Sequence, residues 1–390
     1  MRILYVVSGF APAWGLGGVA RSSYEISKEM VARGHDVTVY TTDIFDFKRR
    51  IECRFRNLNG INVYYFKTLS NYFARRKLNF SPEFVYFLNK NVSKFDIVHI
   101  HEYRTINSTF ASFFSKKYNV PYVLQPRGSV PTISKSIQKK IYDLFFGDFV
   151  VENCSKIIAT SKIESDQYFN VFPRLEKEKI IHLPNGINFA DYSSLPLKGT
   201  FRSKYSISEN EKTVLYLGRI HERKGIDTLV KALNQLVNKS LNIKLVIAGP
   251  NDGYLEKLNL LIDELNFRKH VLLLGPLYEK EKFEAYVDAD VFVLSSKDKY
   301  ESFGNVVLEA LSCGTPVIVT DNCGVSEWVN SQMCHVISSE NDSLQKTIYE
   351  ILFESGLNKS IDKSECELVL KKLSWENVCE MLEIIYSDIV

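Results

Sequence analysis

The chain has 390 residues, 45% of them hydrophobic and 24% charged, and a net charge of only +3, which is ordinary for a globular protein and long enough for two domains, each with its own core. No apolar run approaches the length that spans a bilayer, and residues 1–7 are too short and too soon broken for a signal peptide. Seven cysteines without CxxC spacing or a His/Cys cluster imply neither a disulfide framework nor a zinc site, so a reducing cytoplasm fits best.

The charge is unevenly spread. Residues 1–190 carry 27 basic against 16 acidic side chains, and residues 191–390 carry 22 against 30. A basic half beside an acidic half predicts that the first half meets something anionic. The basic residues are dispersed and form no recognisable nucleic-acid module, so the expected partner is a membrane surface or a phosphate-bearing acceptor rather than nucleic acid.

Apolar strand-like runs alternate with helix-like periods from end to end, the signature of parallel sheets covered by helices. The first half reads as strands at 3–7, 36–41, 61–66, 96–101, 121–125, 156–159 and 179–182, with helices at 19–33, 105–117, 133–151 and 161–171. Between the first strand and first helix lies Gly15-Leu16-Gly17-Gly18-Val19-Ala20. Glycines there let backbone N–H groups approach a diphosphate, and the helix start adds partial positive charge. Read as GxGxxA, the loop also fits a nicotinamide- or flavin-dependent oxidoreductase, with Asp43 as the ribose acid. Against that reading, a dinucleotide strand runs straight into its first glycine, whereas residues 8–14 intervene here.

Val98-His99-Ile100-His101-Glu102 closes a strand. His99 should point into the sheet packing as a structural hydrogen-bonder, while His101 falls at the carboxyl end, the ligand side of such sheets. Gln125-Pro126-Arg127-Gly128 closes the next strand, and Arg127 is either a surface charge or a grip on an anionic acceptor. Lys48-Arg49-Arg50 and Arg75-Arg76-Lys77 are interleaved with Tyr64, Tyr65, Tyr72, Phe73 and Phe80. They form either an interfacial patch for an anionic membrane or a solvated face over core aromatics.

After Pro184-Asn185-Gly186-Ile187 the pattern lapses, and Ser193-Ser194-Leu195-Pro196 with Lys198-Gly199 reads as a linker. The expected domains are 1–192 and 193–370, with a terminal amphipathic segment in 371–390. The second half continues with strand 213–217, helix 226–237, strand 243–248, helix 254–266, strand 271–274, helix 279–287 and strand 291–294. Arg219 and Lys224, in Leu217-Gly218-Arg219-Ile220 and Arg223-Lys224-Gly225-Ile226-Asp227, make the best cationic site in the chain. A planar guanidinium suits two-pronged phosphate contact and an ammonium adds a compact second charge; the plain alternative is a solvated cluster at a helix start. Loops around Gly249 and around Leu277 and Tyr278 end the next two strands, on the ligand side of the sheet.

The run Glu301-Ser302-Phe303-Gly304-Asn305-Val306-Val307-Leu308-Glu309 then forms a loop and the start of a helix, 305–313, that ends at Gly314. N–H groups at 304–307 suit an anion. As a bare pair, Glu301 and Glu309 also fit solvated charges beside a core helix.

This run, with Ala310-Leu311-Ser312-Cys313-Gly314-Thr315-Pro316-Val317-Ile318 behind it, closely resembles the Glu-x7-Glu motif of the retaining glycosyltransferases of family 4. The resemblance covers essentially the whole chain, from the glycine loop to the terminal helix. It implies an α/β GT-B fold, two doubly wound Rossmann-like domains facing across a cleft, with the terminal helix crossing back to brace the first domain. It implies transfer of a hexosyl unit from a UDP- or GDP-sugar to a saccharide acceptor, here expected to be lipid-linked and met at the inner face of a membrane, in polysaccharide or glycan assembly.

By the same resemblance Glu309 holds the ribose and Glu301 the donor sugar's hydroxyls. Gly18, Arg219, Lys224 and the N–H groups at Asn305, Val306 and Val307 meet the diphosphate, Gly17 and Gly304 belong to the same nucleotide-sugar-binding set, and His101 faces the sugar. Gly249, Leu277 and Tyr278 lie near the base, and Arg127 reaches the acceptor. Family members often carry a polar residue where Ala20 stands. No side chain is placed as a covalent nucleophile or an inverting base, which agrees with same-side attack assisted by the departing phosphate. Asp288-Ala289-Asp290 lies at a helix-to-strand turn, so no metal and no cofactor beyond the donor is expected. A dinucleotide oxidoreductase and a non-catalytic nucleotide-sugar binder of the same fold stay open.

Overall fold

The computed structural model describes residues 1–46, 49–69, 80–131, 136–299, 301–330, 333–339, 343–354 and 363–390. It forms two compact units, Met1–Gly186 with Trp375–Val390, and Ile187–Ser374.

The first unit is built on eight strands: β1 Arg2–Val6, β2 Asp36–Thr42, β3 Phe55–Leu58, β4 Ile61–Phe66, β5 Ile97–His101, β6 Tyr122–Gln125, β7 Lys156–Ala159 and β8 Ile180–His182. They lie in the order β3-β4-β2-β1-β5-β6-β7-β8. All pairs are parallel except the β3–β4 hairpin, which the sequence reading lacked. It turns at Asn59 and Gly60, both at positive φ, as a two-residue hairpin requires. Ile3, Leu4, Tyr5 and Val6 are all buried because helices cover both faces of the sheet.

The helix Pro82–Asn91 was also not expected. It carries a clear start signal, Ser81 accepting from the Phe84 amide at 3.3 Å with Pro82 in the first turn. The expected helix 133–151 is interrupted: helices Ser136–Tyr142 and Asp148–Glu152 flank a π turn over Asp143–Gly147, and residues 132–135 lie outside the described residues. The terminal helix Trp375–Ser387 belongs to this unit and packs on the helix Gly18–Ala32. It buries Trp375, Val378, Cys379, Leu382, Ile385 and Tyr386, a single stripe at helical spacing.

The second unit has six strands: β9 Lys212–Leu217, β10 Ile243–Ala248, β11 Val271–Leu274, β12 Val291–Leu294, β13 Val317–Thr320 and β14 His335–Ile337. All are parallel, in the order β11-β10-β9-β12-β13-β14. Asp288 and Asp290 serve the fold. Asp288 Oδ2 accepts from the Arg202 amide at 2.9 Å, and Asp290 Oδ2 accepts from Arg202 Nη2 at 2.7 Å and the Thr213 amide at 2.8 Å, which closes the helix Thr200–Lys204 onto the sheet. Among the described residues no helix is long and apolar enough to cross a membrane.

Candidate active site

In a doubly wound sheet the loops at the carboxyl ends of the two strands flanking the reversal of order diverge and leave a crevice. In the second unit those strands are β9 and β12. β9 exits through Gly218 and Arg219, and the backbone of Gly249, at the end of β10, sits so close that a Cβ there would stand 1.8 Å from the Gly218 carbonyl oxygen. Gly225, at φ 67°, presses on β12 in the same way, 1.7 Å from the Ser295 carbonyl oxygen. Two bonds stitch these exits together: Ser295 Oγ donates to the Gly225 carbonyl at 3.1 Å, and the Lys297 amide to the Arg223 carbonyl at 3.0 Å.

That stitching sets the Lys224 ammonium directly against the Glu301 carboxylate, with both side chains largely buried. Burial, then the neighbouring Arg219 guanidinium, pushes the Lys224 ammonium down to about 8. Arg219 pairs with Asp252 at 2.7 Å, but both side chains are about half exposed. Such a pair contributes roughly 0–1 kcal/mol, so a diphosphate can displace Asp252 at little cost.

The loop carrying Glu301 is held from behind. The Gly324 amide donates to the Glu301 carbonyl at 3.1 Å and the Val325 amide to the Phe303 carbonyl at 2.8 Å. Gly304, at φ 106°, leads into the helix Asn305–Ser312, whose cap makes no side-chain bond and whose first turn carries no acid, so the positive end of its dipole begins beside Glu301. The Val307 amide donates to the Gly304 carbonyl at 3.0 Å and is thereby withdrawn from the expected anion-binding set. Glu309, one turn on, accepts from Tyr286 Oη at 3.0 Å on one oxygen and pairs with Lys282 at 2.9 Å on the other. Each oxygen keeps a second lone pair able to accept from a hydroxyl. Leu277 is buried, and Tyr278 is 55% exposed at the start of the helix Glu279–Asp288.

In the first unit the reversal falls between β1 and β5. Gly17, at φ 101°, joins the turn Trp14–Leu16 to the helix that Gly18 opens. A Cβ on Gly17 would meet nothing within 4 Å, so backbone conformation rather than space calls for glycine. Asp43 accepts from Arg50 at 2.8 Å and from the Thr68 amide and hydroxyl, both at 3.1 Å. Its carboxylate is spent on the fold, which removes the ribose acid of the oxidoreductase reading.

His99 Nδ1 is 2.5 Å from Tyr386 Oη, the structural bond expected of it. His101 is 1% exposed and stacks on His99 with ring centroids 4.2 Å apart. Burial holds both imidazoles well below their ordinary value, hence neutral. Arg127 is drawn inward, not displayed: Nε donates to His101 Nδ1 at 3.2 Å and Nη1 to Asn185 at 2.8 Å. Burial lowers this guanidinium to about 10. A guanidinium N–H only donates, so the neutral His101 carries its proton on Nε2, a hydrogen-bond donor.

Of the expected basic patch, Arg49 pairs with Asp46 and Arg50 with Asp43, while Tyr65 is buried and Tyr64 packs among aromatic rings. Phe80 is half-buried and packs against Phe110. Lys48, Tyr72, Phe73, Arg75, Arg76 and Lys77 lie outside the described residues. Asp252, Lys282, Tyr286 and Asn185 escaped sequence reasoning. Each sits one loop or one helical turn from a named motif, but its partner is remote in sequence.

Two family models match the chain, Glycosyltransferase Family 4 over residues 16–191 and Glycosyl transferases group 1 over residues 198–365. An uncharacterized glycosyltransferase of Methanocaldococcus jannaschii is 28% identical over 99% of this chain and 98% of its own length. The alpha-monoglucosyldiacylglycerol synthase of Streptococcus pneumoniae is 25% identical over 100% of this chain and 86% of its own. The gpi3 subunit of the phosphatidylinositol N-acetylglucosaminyltransferase of Schizosaccharomyces pombe is 23% identical over 96% and 78%. Among solved structures, Anabaena HepE in complex with UDP and glucose matches with a TM-score of 0.78 at 17% identity over the whole of both chains. Sucrose-phosphate synthase of Thermosynechococcus elongatus matches at 0.76 and 20% identity, covering 100% of this chain and 99% of that one. The fold is therefore GT-B, and the chain belongs to the group 1, family 4 glycosyltransferases.

Proposed function

We propose that this glycosyltransferase moves a hexosyl unit from a UDP- or GDP-sugar to a lipid-linked saccharide, with retention at the anomeric carbon and without a metal ion, in polysaccharide or glycan assembly on the inner face of a membrane. The observation that carries the reading is the buried Lys224–Glu301 pair beside the exchangeable Arg219 at the β9–β12 reversal. A diphosphate brought there gains two cations and a helix start. Lys224 then turns from the carboxylate toward the leaving phosphate, and Glu301 is released to hold sugar hydroxyls.

Negative charge builds on the leaving oxygen in the transition state, where such preset charges stabilise it most. The departing phosphate takes the acceptor's proton, so no protein base is required. His101, as an Nε2–H donor, hydrogen-bonds a sugar oxygen without adding positive charge beside the oxocarbenium. Gly17 and Gly18 keep the roles the resemblance implies. Glu309 serves the ribose, and Gly249, Leu277 and Tyr278 the base. Arg127 reaches the acceptor through His101 rather than directly. The lipid-linked acceptor draws support from the relatives of S. pneumoniae and S. pombe, whose names specify lipids, and the donor class from the UDP and glucose held by HepE.

The test is a panel of UDP-, GDP- and ADP-sugars scored for binding, for slow hydrolysis and for sensitivity to EDTA, with the product's anomeric configuration read by NMR. Lys224→Ala and Glu301→Ala should each lower turnover by about 100-fold or more. Unchanged turnover in both would remove the site assignment. Binding without release of nucleoside diphosphate would favour the non-catalytic binder.

A further inference from the structure

The segment from Ser136 to Glu152 turns an apolar face to solvent. Ile137 is 74% exposed, Ile141 53%, Leu144 79%, Phe145 69% and Phe146 46%. The first four recur at helical spacing and form one stripe, the pattern that ordinarily marks a helix's buried side. The π turn adds Phe146 to that face. Tyr142 points inward, edge-on to Tyr103 with centroids 5.6 Å apart and its hydroxyl 2.6 Å from Thr109 Oγ1. Four residues on, an α-helix would turn Phe146 inward beneath it. The π turn makes the next inward residue Gly147, where a Cβ would stand 2.7 Å from Tyr103 Oη, and Phe146 is left outside. Val150 and Val151 then return to the core.

The display is anchored, not frayed. Asp143 accepts from Arg104 at 2.6 and 2.8 Å and from Tyr103 Oη at 2.7 Å, and Arg104 also donates to the Ser129 and Val130 carbonyls. π turns recur at functional positions, and a contiguous exposed apolar patch marks an interaction site.

We infer that this face docks on a bilayer, its five apolar side chains entering the boundary between headgroups and acyl chains. Two observations select lipid. The stripe has the exposed Lys140 beside it and the exposed Asp148 and Glu152 further along the segment, and it belongs to the half of the chain with 27 basic against 16 acidic residues, an overall charge that suits anionic headgroups. The face is also tied through Asp143, Arg104 and Tyr103 to the residues that follow His101 on β5, so a docked bilayer presents lipid-borne groups at the edge of the sheet where His101 stands. This rests on the lipid-linked acceptor proposed above and places the membrane contact away from Arg49 and Arg50.

The experiment is co-sedimentation of the full chain with vesicles of equal parts phosphatidylglycerol and phosphatidylcholine at low salt, alongside donor-sugar hydrolysis. The wild type should sediment with the vesicles. A Leu144→Ser/Phe145→Ser variant should lose about ten-fold in vesicle affinity and keep its melting temperature and its hydrolysis rate. A Phe145→Trp variant should shift its emission to the blue on adding the same vesicles. Absence of wild-type binding, equal binding by the double variant, or a dimer that the double variant dissolves would each overturn the docking face. Vesicle binding without hydrolysis of any nucleotide sugar would sink the transferase reading and leave the docking face standing.

Discussion

Lys224 is the residue on which the electrostatics turn. Burial lowers its ammonium to about 8 in the free protein, and in the function proposed above an arriving diphosphate stabilises it, so binding would take up a proton wherever the free protein has lost one. Nucleoside diphosphate affinity should be flat below about pH 8 and fall above it by up to ten-fold per pH unit. Titration calorimetry in buffers of different ionisation enthalpy reads that uptake directly. Lys224→Arg, which stays charged, should flatten the profile, and an unchanged slope would refute the assignment.

His99 and His101 give the opposite test, of stability. Their folded pKa values lie well below the ordinary 6.5, so the unfolded chain binds protons that the native chain refuses. Their contribution is complete above pH 6.5 and is lost as pH falls below it. The melting temperature should drop between pH 7 and pH 5, and less steeply in His101→Gln. The sequence placed both histidines correctly on their strand. It could not show that Arg127, twenty-six residues away, fixes the proton of His101, because that depends on where β6 ends beside β5.

Among the elements, the two exits of β9 and β12 are held by glycines whose reasons are remote. Gly225 follows Lys224 in an ordinary helix-start pattern, yet what forbids a side chain is the Ser295 carbonyl, seventy residues on. Gly225→Ala should cost about 3 kcal/mol, from a left-handed backbone and overlap with β12, measured as a shift in the urea midpoint. It should also weaken nucleotide binding, since Lys224 moves with the loop. The run of apolar residues from Ile133 on read as one helix because a π turn changes neither composition nor average period. Only the packing of Gly147 against Tyr103 selects it. The starts of β13 and of the helix Pro82–Asn91 do carry local signals, Pro316 and Ser81-Pro82-Glu83.

At the scale of the whole chain, the terminal helix Trp375–Ser387 completes a unit whose other residues end at Gly186. Six side chains bury there, each contributing roughly 1.5–3 kcal/mol, against a typical domain stability of about 5–15 kcal/mol. Deleting residues 375–390 should abolish cooperative unfolding of the first unit while that of the second survives, seen as loss of one calorimetric transition. Two intact transitions would show the helix to be dispensable.

What the sequence determined alone was the alternation of strand and helix, the two Rossmann-like sheets, and the residue types gathered at strand ends. These follow from local periodicity and from glycines and charges adjacent in the chain. Tertiary structure decided which partner each charge takes: Glu301 for Lys224, Asp252 for Arg219, Lys282 and Tyr286 for Glu309, Arg127 for His101. It also decided which face of the segment around Phe145 meets solvent. Such pairings are set by the order of strands in a sheet, and strand order is a property of contacts between residues far apart in the chain, which no local pattern encodes.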